Sequence, residues 1–274
     1  FEFITYIIGW ILNFQGAFLL VPCIVAMIYN EKSGFAFLIS ALISFAIGML
    51  CTRKKIENRS FYAKEGFITV ALGWIALSIS GALPFIISGE IPDIFNALFE
   101  SISGYTTTGA TILSDVESLS KCMLFWRSFT HWIGGMGVLV FVMAIVSNMT
   151  DRSIHLMRAE MPGPVVGKLV PRGRATAKIL YLIYIVMTFA QILMLWAGDM
   201  NLYESALHTF GTAGTGGFGI KADSIAGYSA YSQNVIATFM LLFGINFNLY
   251  FLLIIRRPKP VFKSTELWVY LGIV

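Results

Sequence analysis

The sequence predicts an all-α polytopic membrane protein, and three observations predict it. Hydrophobic residues make up 57% of the 274 positions while charged residues make up only 12%, about half the charged share of an ordinary soluble domain. Apolar stretches of 18 or more residues recur along the chain, long enough to cross a hydrocarbon layer as helices. Between some of these lie short helix candidates followed by strings of glycine and threonine, too short to span. The net charge of +4 is modest and its basic residues sit in a few clusters. That pattern excludes a nucleic-acid-binding domain, whose basic face would lie on a soluble fold. Three cysteines, Cys23, Cys51 and Cys122, are odd in number and far apart. Cys23 and Cys51 fall inside apolar runs and read as small buried hydrophobes, not as a disulfide frame or metal site.

The elements follow in order. Apolar stretches at about 3–29 and 35–51, joined by Asn30-Glu-Lys-Ser-Gly34, form an N-terminal hairpin over 1–51. A basic loop occupies 52–65, with Arg53, Lys54, Lys55, Arg59 and Lys64. Residues 66–149 form a first helix–pore–helix repeat: a spanning run at 66–88, a short helix at 91–105, a Gly/Thr string, and a spanning run at 122–149. A connection at 150–177 carries further basic residues and is broken by Pro162-Gly-Pro164, which has no evident chemistry. Residues 178–255 repeat the unit: a run at 178–198, a short helix at 201–213, a second string, and a run at 231–255. The segment 256–274 is a basic loop followed by the start of another run near Glu266. The first run is too long and lacks the basic flank of a cleavable signal peptide. A start at Phe1 without methionine and an end inside a run at Trp268–Val274 read as part of a longer protein.

Charge gives the orientation. Fifteen of the 19 Lys and Arg residues lie in or beside 52–65, 150–178 and 256–266, so these three segments face the cytoplasm by the positive-inside rule. Two runs separate each neighbouring pair of basic segments. The stretches 89–121 and 199–230 therefore both lie outside, and both are net acidic. The N-terminus is then cytoplasmic.

Each outer stretch holds one string: Ser103-Gly-Tyr-Thr-Thr-Thr-Gly-Ala-Thr111 and Gly211-Thr-Ala-Gly-Thr-Gly-Gly-Phe-Gly219. Their alignment makes Gly109 and Gly217 equivalent. Nonhelical backbone at membrane depth is tolerated only where protein buries it or where it lines a watery cavity. Glycine permits positive φ and so directs successive carbonyls inward, and a ring of carbonyls replaces the hydration shell of an alkali cation. The C-terminal end of a pore helix favours a cation beneath it. The candidate ion ligands are Thr107, Thr108, Gly109, Thr215, Gly216 and Gly217, with an alkali cation, potassium or sodium alike on this pattern, held by the backbone carbonyls of Thr107, Thr108, Thr215 and Gly216. No carboxylate falls inside either string, which disfavours a fixed-charge ring for divalent ions. The plain alternative, that the strings are mere outer turns, has to explain why the same unit occurs twice on one side.

The residues that carry a family resemblance are Leu98-Phe-Glu-Ser-Ile-Ser-Gly-Tyr-Thr-Thr-Thr-Gly-Ala-Thr111, Phe125-Trp-Arg-Ser-Phe-Thr-His-Trp-Ile-Gly-Gly-Met-Gly137, Thr212-Ala-Gly-Thr-Gly-Gly-Phe218 and Gly244-Ile-Asn-Phe-Asn-Leu-Tyr250. In these the chain resembles the Trk/Ktr/HKT superfamily of potassium transporters, and most the TrkH-like branch, whose extra N-terminal helix pair matches the hairpin. The resemblance implies a potassium-channel-like architecture of helix–pore-helix–helix repeats with re-entrant filter loops, four repeats around one pore, of which this chain holds two and the start of a third. It implies potassium uptake across the inner membrane of a prokaryote, with K+ as transported ion and no covalent cofactor. It also implies a homodimer and a cytoplasmic nucleotide-binding regulatory ring subunit. The basic cytoplasmic segments suit that ring or anionic membrane lipid. The two strings differ from each other, which implies an asymmetric cage.

Other residues have plainer readings. Arg127 and His131 share one helix face; Arg127 is expected to anchor the pore helix through Glu100 or another outer carboxylate, or else to snorkel to the interface. His131 is expected to pack beneath the filter or bond backbone oxygens rather than relay protons, although ionisable groups in spanning helices are functional candidates. His208 is expected to make a structural hydrogen bond. Gly134-Gly-Met-Gly137 suits close helix packing or a bend. Asn246 and Asn248 are expected to be buried amides that bond neighbouring helices. The six tryptophans suit interfaces and core. Two other functions compete. An intramembrane hydrolase would need Ser101 or Ser103 within hydrogen-bond reach of His131 or His208, and the spacing does not show it. A neutral-solute channel with two re-entrant half-helices would favour apolar constrictions over carbonyl-rich strings.

Overall fold

The computed structural model describes residues 2–53, 63–137 and 173–273, and every regular element among them is helical. Helices α1 (Glu2–Tyr29) and α2 (Gly34–Thr52) form the hairpin. Asn30 reverses the chain at φ 56°, a left-handed position that asparagine tolerates, and Glu31 N donates to the Ala26 carbonyl at 2.9 Å. The two helices meet at Gly9 and Gly48. A Cβ on Gly9 would stand 2.7 Å from Cys51 Cβ and 2.9 Å from the Gly48 carbonyl, so only glycine allows this approach. Cys23 and Cys51 are half-buried, against the expectation of full burial, and Cys122 is the buried one.

The first repeat comprises α3 (Ala63–Ser88), α4 (Ile94–Tyr105) and α5 (Lys121–Met136). The second comprises α6 (Gly173–Trp196), α7 (Leu202–Ala213), α8 (Ala230–Gly244) and α9 (Phe247–Ile254). Short α10 (Pro258–Phe262) and α11 (Thr265–Ile273) follow. Among the described residues, four stretches are each long and apolar enough to cross a membrane: Glu2–Tyr29, Gly34–Thr52, Glu65–Ser88 and Lys178–Trp196. Helices α4 and α7 have 12 residues each, about 18 Å at 1.5 Å per residue, well short of a hydrocarbon core of about 30 Å.

One expected run needs revision and another is described only in part. The run at 231–255 is not one helix: α8 and α9 meet at 85°. Ile245 is extended there, and the Asn246 side chain accepts from Asn248 N at 3.0 Å, starting a new helix with a capped end. Asn246 and Asn248 are half-buried. Asn248 Nδ2 donates to Asn246 Oδ1 at 3.1 Å, and Asn246 Nδ2 donates to both carboxylate oxygens of Glu266 on α11 at 3.2 Å, a bond to a neighbouring helix. The run at 122–149 is helical to Met136, where Gly137 turns at φ 75°. Residues 138–149, the connection at 150–172 with Pro162-Gly-Pro164, and the basic loop at 54–62 lie outside the described residues.

Both outer stretches lie at one end of the bundle, the arrangement that the parity of the basic segments demands. Tyr203 Oη donates to the Lys121 carbonyl at 2.6 Å, and Ala222 N donates to Glu117 Oε1 at 3.3 Å. The hairpin turn joins them, for Glu31 accepts from Lys121 N at 2.8 Å and Cys122 N at 2.9 Å. Burial divides between a core of α1 to α5, around Phe37, Phe85, Tyr105 and Trp126, and a second of α6 to α8, around Tyr184, Phe239 and Phe243. Aromatic rings bridge the two repeats. Phe129 lies 5.4 Å from Trp132, stacked at 9°, and 5.4 Å from Phe210 of α7.

The repeats also share a closing device. Glu90, after α3, accepts from Ser120 N at 2.8 Å and Ser120 Oγ at 2.7 Å, at the start of α5. Asp199, after α6, accepts from Ser229 N at 2.8 Å and Ser229 Oγ at 2.7 Å, at the start of α8, and from the Ser232 hydroxyl. A carboxylate at a helix N-terminus satisfies orphan N–H groups and suits the dipole. The hydroxyls of Ser232 and Ser229, and then the Ser229 amide, hold the Asp199 carboxyl below its usual range. A depressed folded-state value contributes stability that is complete above the ordinary carboxylate value and drains away as pH falls beneath it. Thermal unfolding in detergent should therefore shift downward as pH is lowered through about 4. Asp199→Asn should lower the midpoint at neutral pH and flatten that part of the acid dependence.

Candidate ion filter

Each string is launched by its pore helix. Asp93 caps α4 by accepting from Asn96 N at 2.8 Å. In the same place on α7, Asn201 accepts from Glu204 N at 2.9 Å and forms a reciprocal capping box with it. At the far ends the two chains turn alike. Thr106 N donates to Ile102 O and Gly214 N to Phe210 O; then Thr107 N donates to Gly104 O and Thr215 N to Thr212 O. The amides are thus spent on the pore helices. Among the described residues, no hydrogen bond reaches the carbonyls of Thr107, Thr108, Gly109, Thr215, Gly216 or Gly217. Thr108, Thr215 and Gly217 are exposed and the other three residues half-buried, so these six carbonyls remain available to a cation.

The backbone is strained at the same two places in both strings. Thr107 and Thr215 have φ of 55° and 56°, and Gly109 and Gly217 have φ of 76° and 69°, with no positive φ between them. This alternation turns successive carbonyls toward one side, whereas a regular strand alternates its faces. Left-handed conformation costs a β-branched residue about 1–2 kcal/mol, so something must hold it. The Thr107 methyl fits between two glycines: a Cβ on either Gly134 or Gly214 would come within 3.1 Å of Thr107 Cγ2. A Cβ on Gly134 would also strike the Tyr105 carbonyl. The adjacent Gly135 packs instead against the second repeat, where a Cβ would meet Tyr184 Oη at 2.5 Å and the Ala213 carbonyl oxygen at 3.0 Å.

The strands are neighbours. A Cβ on Gly109 would collide with the Gly216 carbonyl oxygen, and one on Gly216 would lie 2.7 Å from the Thr107 carbonyl oxygen. His131 packs behind Gly216, its ring 4.3 Å from that of Phe218, buried, with neither nitrogen hydrogen-bonded among the described residues. The packing alternative therefore describes His131, and no backbone oxygen takes its proton. His208 Nε2 lies 3.3 Å from Tyr228 Oη, the expected structural bond.

Glu100 and Arg127 form a buried ion pair, Nε to Oε2 at 3.0 Å. The other Glu100 oxygen accepts from the Thr111 hydroxyl and from Ile112 N at 2.8 Å, so it holds the outer end of the first string. Arg127 does more than the sequence suggested. Its Nη1 donates to the Gly219 carbonyl at 2.7 Å, and its guanidinium lies 3.3 Å above the Phe218 ring, both at the outer end of the second string. Phe218, Gly219, Gly134 and Gly214 were not singled out as functional from sequence; the adjacent glycines of Gly134-Gly135 were the available sign of close packing. Asn246 and Asn248 are not part of this assembly, since the α8–α9 break engages them instead.

Removing the wedged methyl tests the socket. Thr107→Ser should lower thermal stability by about 1 kcal/mol, the worth of one buried methyl. Gly134→Ala should cost more, about 1–3 kcal/mol for a clash with rigid backbone. Both are read by thermal unfolding of purified protein.

Comparisons with known proteins agree with this geometry. The family model of TrkH, described as a cation transport protein, matches residues 33–268. The Trk system potassium uptake protein TrkH of Escherichia coli is 39% identical over all of this chain and 58% of its own length. TrkG of the same organism is 35% identical over 98% of this chain and 56% of its own. The crystal structure of the potassium transporter TrkH from Vibrio parahaemolyticus superposes with a TM-score of 0.85 at 29% identity, covering all of this chain and 56% of that one. The chain thus spans a little over half the length of these relatives. With a family match over most of its residues and its two repeats seated on a TrkH structure, the chain belongs to the TrkH family of cation transport proteins.

Proposed function

We propose that this chain supplies two of the filter strands of a potassium uptake pore, and that K+ passes between them stripped of water. The carrying observation is the paired backbone: Thr107 and Thr215, then Gly109 and Gly217, adopt left-handed conformations at matching places, beside carbonyls without hydrogen-bond donors. The ion ligands are the carbonyls of Thr107, Thr108, Thr215 and Gly216, and Gly109 and Gly217 allow the turns that aim them. The relatives named as Trk potassium uptake proteins support potassium as the ion. They are transport proteins rather than enzymes.

A half-ring of two strands cannot enclose an ion, so the pore belongs to the complete protein. The same reading makes that protein a homodimer in the inner membrane, with the N-terminus cytoplasmic and both filter loops facing outward. Its basic cytoplasmic segments would meet a nucleotide-binding ring subunit or anionic lipid. Acidic residues of the outer stretches would concentrate cations by a field that salt screens.

The complete protein in liposomes should take up 86Rb+, and glycerol swelling should be absent; the reverse result would favour a neutral-solute channel. The two glycines should not be equivalent. Gly109→Ala faces both a positive φ and the Gly216 carbonyl, whereas a Cβ on Gly217 meets nothing nearer than Met240 Cε at 3.7 Å. Gly109→Ala should therefore alter the K+/Na+ flux ratio strongly and Gly217→Ala weakly, at a cost of about 1–2 kcal/mol for the strained backbone alone. An unchanged ratio in both would remove the filter reading.

A further inference from the structure

The geometry points to Arg127 as a positioning residue for ion selectivity: it sets the spacing of the first filter strand from the second. This rests on the filter reading above. The connection can be followed atom by atom. Thr111 Oγ1 and Ile112 N, leaving the first string, bind one oxygen of Glu100. The other oxygen binds Arg127 Nε at 3.0 Å. Arg127 Nη1 then binds the Gly219 carbonyl at 2.7 Å, and the guanidinium plane rests on Phe218 at 3.3 Å. Both charged groups are almost wholly buried, with side-chain exposures of 2% and 0%. The chain of contacts therefore runs from one repeat to the other through a dry, charge-assisted link, not through a solvated surface pair.

Three properties make this a guanidinium's task. It must donate in two different directions and present a flat face to a ring, which a lysine ammonium cannot do from one position. The Arg127 side chain belongs to α5 of the first repeat, yet two of its three engagements are with the second. The second repeat has no counterpart. Counting from the helix caps Ser120 and Ser229, Ile236 stands where Arg127 does, and His208 takes the place of Glu100 with Tyr228 as its partner. A filter that separates cations by the fit of its oxygens depends on the distance between its strands. That distance at this junction is fixed by a residue that donates no ligand.

The pair also places a positive charge behind a cation site, neutralised by Glu100, so charge and position must be separated. The experiment uses the complete protein in liposomes and reads the K+/Na+ permeability ratio from reversal potentials. Thermal unfolding shows which variants are folded. Arg127→Lys keeps the charge and loses the fork; the ratio should fall on the order of tenfold, the scale of one lost charge-assisted hydrogen bond. The double variant E100Q/R127Q removes both charges, keeps the site neutral and lacks the link, and its ratio should stay low. A wild-type ratio in folded R127K, or recovery in the double variant, would overturn the assignment. Where R127K does not fold, Thr111→Val decides, because it removes one of the two bonds that tie the first string to Glu100, leaving Ile112 N, and keeps the ion pair intact. It should lower the ratio a few-fold, and no change would overturn the assignment. Gly109→Ala serves as the reference: if it shifts selectivity while R127K and T111V do not, Arg127 is merely structural. If Gly109→Ala also leaves the ratio unchanged, the filter reading fails and this one with it.

Discussion

A carboxylate and a guanidinium buried together at the outer end of two strings are the constraint on which the rest of this site depends. Removing two charges from water costs several kcal/mol per ion, and only close geometry with further hydrogen bonds offsets it. Glu100 and Arg127 meet that condition because each spends its remaining capacity at the ends of the two strings: the Thr111 hydroxyl and Ile112 N on one side, the Gly219 carbonyl on the other. Leaving either charge without its partner would cost about 3–5 kcal/mol. The penalty acts as a lock. The strands cannot drift from their places without taking hydrogen bonds away from a charged group in a dry interior.

Beneath that lock the two repeats solve the same problems with different chemistry. Pore helices start on Asp93 or Asn201, and outer helices start against Glu90 or Asp199. Behind the first string, the Ser103 hydroxyl donates to the Ala110 carbonyl at 2.5 Å. In the corresponding place Gly211 has no side chain, and its backbone approaches the Phe218 carbonyl so closely that a Cβ would stand 2.7 Å away. One strand is tied by a hydroxyl and the other by direct contact. The shared features are those of backbone, the left-handed threonine and the glycine two positions on; the differing features are those of the side chains that support it.

How much of this the sequence discloses depends on the range of the interaction. The long apolar runs, the two short outer helices and their common side of the membrane follow from periodicity and charge, which are local quantities. Glu100 and Arg127 could be paired from sequence because a buried cation needs an anion and few were available nearby. The second half of Arg127's role was not legible, since the contact with Gly219 spans 92 positions and engages a carbonyl, which every residue has. The break at Asn246 was hidden for a related reason. Apolar residues continue through it, and only a small capping amide marks where one helix stops and another begins. The methyl socket formed by Gly134 and Gly214 joins glycines from different repeats, so neither reveals it alone.

The unequal enclosure of the two glycines has a consequence for how such a chain can change over generations. Gly109 is shut in by the neighbouring strand's carbonyl, while beside Gly217 there is room before the Met240 methyl. A gene that carries the same device twice therefore does not expose both copies to equal scrutiny. The first copy is held by both its backbone turn and its neighbour, whereas the second is held by its backbone turn alone. Divergence between duplicated halves then begins on the roomier side, and a symmetric ancestor would become lopsided through steric latitude alone.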